Sequence, residues 1–445
     1  MSSLDGESLE TRTASPETHV VDADTPGFDA EAPAADVPVI DAETTDLDAE
    51  PPALHDEAHT RRRSRRWKIL TIVGIVLAAA ILVSSLVSVP YYAITPGSTQ
   101  SVLPLIEGLG SRAHDHPGSI DLVDVEVTPL RLIDWLYFKL DSNATIYSSE
   151  EIQGPETNAQ YDTEGVLDMA DAQQAASVVA LTQLGYHVTV TPNGSLVYAL
   201  DPGSPAEAAL QVGDVIVAVG ATKVDSPQAL SAALFSYRIG QAVTLRFRPY
   251  PSGSPTSITF HTGVWRWQGT GANQQLTCVP ATERSPDPIA KLYDDQGVLY
   301  LPTKQHPGGA TPCIGVIDAE PSYAVKLPFT VNLNNEGIVG PSAGLAFTLG
   351  LMQKLDPANL TGGLKVAATG TMSVTGAVGA IGGIEQKTIA VRASGASIFL
   401  VPPDNYAIAK RYAGSRLQVF AVSSISQALA VLEAHGGKVV KVPGR

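Results

Sequence analysis

The chain has 445 residues, 44% hydrophobic and 17% charged, so it is long enough for several domains and has an average globular composition. The formal net charge is −16, but residues 1–60 contain sixteen Asp and Glu against the single Arg12, a local net of −15. Subtracting −15 from −16 leaves only −1 for residues 61–445. This distribution excludes an evenly acidic protein, and it excludes a nucleic-acid binder because no basic folded face remains to neutralise phosphates.

Residues 1–60 are rich in Ala, Pro, Thr and Asp and contain almost no aromatic side chain. They show neither the helical nor the strand period of apolar residues. Such a segment cannot bury enough apolar surface to fold. We therefore expect residues 1–60 to be a disordered acidic tail.

A basic cluster then precedes a long apolar segment. Residues 61–68 contain five Arg and one Lys, and the segment from Ile69 to Val89 contains no charge. At about 1.5 Å per residue, a helix of this length crosses a bilayer core of about 30 Å. We expect residues 61–92 to form a basic flank and a single transmembrane helix in the cell membrane. The positive-inside rule places the tail in the cytoplasm and everything after about residue 90 outside it.

The sequence after about residue 90 predicts a mixed α+β structure with several domains. Residues 93–187 are typical of a separate juxtamembrane unit, with one helix that starts at Pro129 and another from Leu167 to Leu184. This unit shows no chemistry of its own. The domains that follow are expected at residues 188–262 and 263–445.

The chain has two cysteines, Cys278 and Cys313, and both lie on the expected outer side. An oxidising compartment favours a disulfide that closes a loop of 34 intervening residues, and two buried free thiols are the alternative. Two widely spaced thiols lack the paired spacing of zinc ligands, so we expect neither a metal nor a cofactor.

Residues 188–262 alternate short strands and short helices, and they contain the run GSPAEAALQVGDVIVAVG. This order resembles a bacterial PDZ domain. The resemblance implies a groove between the strand at 196–200 and the helix at 226–235, where an extended peptide adds as a strand. The peptide-binding residues that it implies are Gly194, Ser195, Leu196 and Val197. A purely structural spacer is the alternative.

Residues 337–344, GIVGPSAG, place Ser342 at the start of an apolar helix that ends before Asp356. Free amides and the positive end of the helix dipole lie at such a helix start, where they can hold an oxyanion. Ser342 is therefore a candidate nucleophile, and a simple helix cap is an equal alternative from this motif alone.

Lys387 lies on a second predicted helix, from Ile384 to Ser394, and it shares the apolar face with Ile384 and Ala390. An ordinary lysine, with a pKa of about 10.4, is almost never neutral at pH 7, but burial lowers the pKa. Lys387 is thus a candidate general base. The alternative is a lysine whose amine reaches back into water.

The GPSAG motif, Thr369-Gly370, a GxVxxIGGxxxK pattern ending at Lys387, and SGASIFLVPPDN together resemble the proteolytic domain of Lon proteases. With a membrane helix and a PDZ domain before it, the chain looks like the membrane-anchored Lon-like PDZ proteases of bacteria. The resemblance implies a dyad of Ser342 as nucleophile and Lys387 as general base, 45 positions apart. It also implies supporting roles for Gly340, Pro341 and Thr369, with the threonine bonded to the lysine.

Two positions depart from the Lon pattern. Val339 stands where many Lon enzymes have Asp, and Thr371 replaces the Glu that commonly follows Thr-Gly. Both differences concern the hydrogen bonds around the dyad rather than the dyad itself.

The function implied is a serine endopeptidase that cleaves extracytoplasmic or membrane-associated polypeptides, with peptides bound by the PDZ domain. No GxxxxGK[ST] motif occurs in the sequence, so we expect no ATP-driven motor. The resemblance also implies a homo-oligomeric ring, commonly a hexamer. One alternative is a catalytically silent PDZ-containing scaffold. Another is an α/β-hydrolase, because GPSAG also satisfies GxSxG and Asp404 and His435 follow Ser342 in the required order.

Overall fold

The structure is a computed structural model that describes residues 57–154, 157–268, 275–281, 292–293, 299–300 and 311–439. Residues 1–56 of the predicted acidic tail lie outside the described residues. The chain divides into two units, Met1–Thr71 and Ile72–Arg445. Helices and strands alternate along the described chain, which confirms the predicted α+β class.

The helices are α1 Glu57–Leu86, α2 Leu132–Phe138, α3 Ser149–Gln153, α4 Asn158–Gln183, α5 Pro227–Leu234, α6 Gly344–Leu355, α7 Ile384–Ser394, α8 Pro403–Tyr412 and α9 Ile425–Ala434. The strands are β1 Ser88–Ser101, β2 Ile106–Glu107, β3 Ser119–Arg131, β4 Thr145–Ser148, β5 Thr189–Leu200, β6 Val215–Val219, β7 Thr222–Lys223, β8 Ala242–Arg248, β9 Thr256–His261, β10 Gly263–Gln268, β11 Gln275–Pro280, β12 Leu292–Tyr293, β13 Leu299–Tyr300, β14 Pro312–Cys313, β15 Val316–Lys326, β16 Asn332–Leu333, β17 Lys365–Ala368, β18 Thr371–Met372, β19 Val378–Gly379, β20 Ile398–Val401 and β21 Gln418–Ala421.

Helix α1 contains the predicted apolar segment. Its stretch from Arg66 to Leu86 has 21 residues and a mean hydropathy of 2.7, which makes it long and apolar enough to cross a membrane. The helix ends at Leu86 rather than at the predicted Val89, and β1 begins at Ser88. Pro90 explains the earlier end, because proline has no N–H to donate to the Leu86 carbonyl and its ring clashes with that carbonyl in a continuing helix.

The main sheet has the strand order β21-β20-β17-β3-β1-β4. Strands β17, β20 and β21 run parallel, and β3 lies parallel to β17 with Ile120 beside Val366. Strands β1 and β4 continue the sheet in antiparallel pairs. The structure therefore differs from the predicted separate unit at 93–187, because strands from that segment complete the sheet of the C-terminal part. A pairing between strands so far apart in the chain leaves no local signal in the sequence.

The same segment also supplies one side of the main core. Helix α4 packs against α6, and Leu122, Leu181, Phe347 and Leu400 lie in one buried cluster. The predicted helix starting at Pro129 is wrong, since Pro129 lies in β3. Helix α2 begins at Leu132.

A second sheet has the order β15-β5-β6-β8-β9, with β7 also paired to β6. Helix α5 packs over it, and its core includes Val197, Ile216, Leu230 and Leu245. Strand β15 pairs antiparallel with β5 from Val316 to Lys326. The predicted domain at 188–262 is thus extended by a strand that lies well beyond its predicted end in the chain.

The two cysteines join strands of a small sheet with the order β11-β10-β14. Cys278 and Cys313 are disulfide-bonded, with their Cα atoms 5.9 Å apart. The backbone N–H of Cys278 donates to the buried Asp201 carboxylate at 2.7 Å. The disulfide joins β14 to β11, and the hydrogen bond from Cys278 joins β11 to Asp201, directly after β5. Together they connect the start of β15 to the second sheet.

We predict that a truncated chain starting at residue 188 will not fold cooperatively. It lacks β1, β3 and α4, so the β17 edge loses its partner and much of the main core is missing. Thermal unfolding followed by near-ultraviolet circular dichroism measures this. The matched control begins at residue 88, lacks only α1 and the chain before it, and should retain a single sharp transition. Equal transitions in the two chains would contradict the shared sheet.

Candidate active site

Ser342 lies in a short 3-10 turn, Pro341–Ala343, immediately before α6. The chain reaches this turn through Gly340, whose φ of 87° belongs to the left-handed region that glycine adopts without strain. Gly340 N–H donates to the Gly165 carbonyl of α4 at 2.7 Å. Helix α6 is buried along nearly its whole length. These contacts hold the serine on a rigid element.

Lys387 approaches the serine from α7. Its amine Nζ lies 2.6 Å from Ser342 Oγ, and the lysine is only 3% exposed. Burial lowers the pKa of Lys387 to about 8, against the opposing effect of the negative charge of Asp124. The side of α7 predicted to be apolar is buried, including Ile384, Ala390 and Val391, but the polar Gln386 and Thr388 are buried as well.

The backbone around Ser342 is fixed by the end of β17. The Ser342 carbonyl accepts from the Gly370 N–H at 2.9 Å and from the Thr369 hydroxyl at 3.2 Å. The Gly370 carbonyl in turn accepts from the Leu345 N–H at 3.1 Å. Thr369 thus contacts the backbone of Ser342, where the resemblance implied a bond to Lys387. It acts on the position of Ser342 rather than on the charge of the amine.

A cleft of about 460 Å³ opens beside the Ser342 turn. It lies between α4, strands β5 and β15, and the loops of the C-terminal part. Its lining residues are Glu164, Asp168, Asp171, Ala172, Gln174, Ala175, Tyr198, Glu320, Pro321, Tyr323, Pro341, Thr371, Met372, Ser373 and Val374. Sequence reasoning missed the α4 side of this cleft, because that helix contains no motif and lies far from Ser342 in sequence.

Carboxylates give the cleft its electrostatic character. Glu164, Asp168, Asp171 and Glu320 all line it. The Tyr198 hydroxyl donates to Asp171 at 2.7 Å, and burial raises the pKa of Asp171 above its ordinary value. A cleft lined by several carboxylates attracts positively charged groups and repels negatively charged ones.

Comparison with known proteins identifies the part of the chain that contains the Ser342–Lys387 pair. Residues 336–434 match the Lon protease (S16) C-terminal proteolytic domain. The chain carries a serine-peptidase domain of the Lon type. Two mitochondrial Lon protease homologs are similar to it: that of Eremothecium gossypii is 40% identical over 73 residues, and that of Emericella nidulans is 41% identical over 71 residues. Each alignment covers 15% of this chain and 6% of the relative, so the chain spans only a small part of the length of these relatives.

A second match precedes the Lon-type domain. Residues 182–248 match a PDZ domain, which confirms that prediction. The PDZ domain of the SdrC-like protein from Listeria monocytogenes is 20% identical, over 17% of this chain and 76% of that chain, with a TM-score of 0.16. The second domain of another Listeria protein is 14% identical, over 20% and 86%, with a TM-score of 0.15.

The peptide groove predicted on the PDZ domain differs from the structure. Ser195 and Leu196 pair with β6 on one side and with β15 on the other, and Gly194 and Val197 also lie beside β15. A peptide cannot add to a strand whose two edges are both hydrogen-bonded there. Within the described part of the chain, β15 pairs only with β5, so its other edge ends the sheet.

The hydrolase alternative is also contradicted. His435 Nδ1 lies 2.7 Å from the Val431 carbonyl, and its ring packs against Phe420. Asp404 lies in the first turn of α8. Ser342 Oγ instead contacts Lys387, and the turn that carries it follows a loop rather than the core strand a nucleophile elbow requires.

We predict that Gly344→Ala will destabilise the Lon-type domain. The added Cβ would lie 2.8 Å from the Cβ of Met372 and 2.9 Å from its backbone nitrogen. Overpacking of this kind costs about 1–3 kcal/mol of the free energy of unfolding. Urea denaturation of the full chain measures the loss. Gly382→Ala is the matched control, because no atom lies within 4 Å of its added Cβ. Equal stability of the two variants would argue against the close packing at Gly344.

Proposed function

We propose that this chain is a membrane-anchored serine endopeptidase that hydrolyses peptide bonds with Ser342 as nucleophile and Lys387 as general base. One observation carries the proposal: the Lys387 amine lies 2.6 Å from Ser342 Oγ and is buried. A base must lie within hydrogen-bond distance of the proton that it removes and must be neutral when it does so. The match to the Lon proteolytic domain supports the same assignment.

The reaction follows from these two groups. Neutral Lys387 accepts the hydroxyl proton of Ser342 while Oγ attacks the carbonyl carbon of the peptide bond. Backbone amides of the Ser342 turn stabilise the tetrahedral oxyanion, which the positive end of the α6 dipole also favours. The protonated lysine then gives its proton to the leaving amine. A water molecule, activated by the same lysine, hydrolyses the acyl-enzyme.

Helix α1 anchors this peptidase in the membrane. The cluster at 61–68 stays on the cytoplasmic side, and the PDZ and Lon-type domains lie outside. The disulfide between Cys278 and Cys313 supports this placement, because disulfides persist in oxidising compartments. Substrates are therefore extracytoplasmic or membrane-associated polypeptides.

The PDZ domain presents peptides to the cleft. The open edge of β15 is the place where an extended chain adds as a strand. Glu320 and Tyr323 of the same strand line the cleft beside Pro341, so a chain bound at β15 lies close to the serine. A strand edge can bind polypeptides that are already unfolded, such as flexible tails, and such substrates need no ATP-driven unfolding. We extend the proposal to a homo-oligomeric ring, a hexamer in its commonest form, that restricts access to the sites.

We predict that Lys387→Ala abolishes cleavage of a fluorogenic peptide, whereas His435→Ala leaves it largely intact. Without the lysine, Ser342 has no base within reach, and a loss of at least about 100-fold is expected. Thermal unfolding of both variants shows whether the fold survives. The reverse pattern of activities would contradict the dyad.

Labelling separates the peptidase from a silent scaffold. A serine-reactive phosphonate should modify Ser342 in the wild-type chain and leave Ser342→Ala unmodified, as mass spectrometry of the labelled peptides will show. A wild-type chain that binds unfolded casein but takes up no label would favour the scaffold.

We also predict the pH profile of cleavage. Lys387 is the base only when neutral, so kcat/KM should rise about tenfold per pH unit and level off above the pKa of about 8. The negative charge of Asp124 raises this pKa, so Asp124→Asn should move the midpoint to lower pH. Steady-state rates measured from pH 6 to pH 10 give both midpoints. An unchanged midpoint in Asp124→Asn would show that the two groups do not interact.

A further inference from the structure

An apolar patch lies beside the point where α1 ends. We call it the juxtamembrane patch and define it by Leu132, Leu136, Tyr137 and Leu140 on and after α2, together with Tyr91 of β1. Leu136 is 55% exposed, Tyr137 67% and Leu140 90%. Folded proteins rarely leave such neighbouring large apolar side chains in water without an interaction partner.

The patch runs along one side of α2 and past its end. Leu132 and Leu136 lie four positions apart on α2, which places them on one side of the helix, and Leu140 follows just after the helix ends at Phe138. Helix α2 packs on β1, β3 and β4. Leu136 and Leu140 stay largely exposed in this packing, and no described residue covers them to the degree seen in the core.

A hydrogen bond fixes the patch at the end of the apolar helix. The Leu132 N–H donates to the Val87 carbonyl at 2.9 Å, directly after α1 ends at Leu86. The uncharged part of the helix, from Ile69 to Leu86, has 18 residues and spans about 27 Å, close to the bilayer core of about 30 Å. A helix that crosses the core thus brings Val87, and with it Leu132, to the outer membrane interface.

The side chains around the patch suit this depth. The rings of Tyr91 and Trp135 lie 6.3 Å apart, and Lys139 Nζ lies 4.2 Å from the centre of the Trp135 ring. Trp and Tyr concentrate at membrane interfaces, because one end of each ring system is apolar and the other is polar. Lysine stems lie along apolar surface while the amine stays among the headgroups.

We propose that the juxtamembrane patch inserts into the outer interface of the bilayer that α1 crosses, as a second attachment of the folded part. The inference rests on the proposed membrane anchoring. It adds that the folded part does not swing freely on a single helix. With α1 and the patch both attached, the folded part stays close to the membrane, where it can reach substrates at the bilayer surface.

Single-cysteine fluorescence in the full chain tests this. The native cysteines are bonded to each other, so a cysteine introduced as Leu136→Cys or Leu140→Cys takes up a nitrobenzoxadiazole label selectively. Ile408→Cys, an exposed apolar position on α8, is the matched control. Val76→Cys, within α1, reports the anchor itself. Each variant is reconstituted in phosphatidylcholine liposomes, with nitroxide quenchers at either end of the lipid acyl chain.

We expect the labels at 136 and 140 to lose about half of their fluorescence with the quencher near the headgroup, as for a side chain in the interface. The label at 76 should be quenched by the quencher at the chain end, and the label at 408 by neither. Labels at 136 and 140 that behave like the one at 408 would contradict insertion of the patch into the membrane. A blue-shifted emission without quenching would also contradict it, because it indicates that protein covers the patch. Absence of quenching at 76 would instead show that the anchor proposal has failed.

Discussion

The burial of the Lys387 amine against Ser342 is the constraint on which the site depends. Lowering the pKa of that amine from 10.5 to about 8 corresponds to about 3 kcal/mol of lost stabilisation of the charged form. The packing of α7 on β1 and β3 must offset this cost, since it keeps water from the amine. Gly383 permits that packing, because a Cβ there would lie 3.0 Å from Val125 of β3. Strands that precede the PDZ domain in sequence therefore set the state of a lysine that follows it.

The sequence predicted the parts of the site that rest on local pattern. The glycines around Ser342 and the apolar stripe around Lys387 are short-range signals, and the structure brings the two side chains together. The contact of Thr369 with the Ser342 carbonyl could not be read in this way, since it depends on where β17 ends relative to the turn. The same holds for α4, whose carboxylates reach the cleft only after the chain has folded across the main sheet.

The largest difference concerns the division of the chain into domains. Parallel pairing of β3 with β17 and antiparallel pairing of β5 with β15 both join segments that are distant in the sequence. Apolar alternation identifies a strand but not its partner, so contiguous domains were the natural prediction. Lys365 also lies across this junction, 3.3 Å from the buried Asp121 carboxylate. Separating this pair would leave the buried Asp121 carboxylate without its cation, which disfavours other registers between the two segments.

Strand β15 connects the PDZ fold to the Lon-type domain. Its edge completes the PDZ sheet, its Glu320 and Tyr323 side chains line the cleft, and the chain beyond Lys326 leads to the Ser342 turn. Its start is held by the disulfide at Cys313 and by the Asp201 N–H, which donates to the Gly315 carbonyl at 2.8 Å. A shift of β15 would therefore displace both the edge of the PDZ sheet and the lining of the cleft. Fixing its start covalently stabilises the geometry between the outer edge of β15 and the place where Ser342 lies.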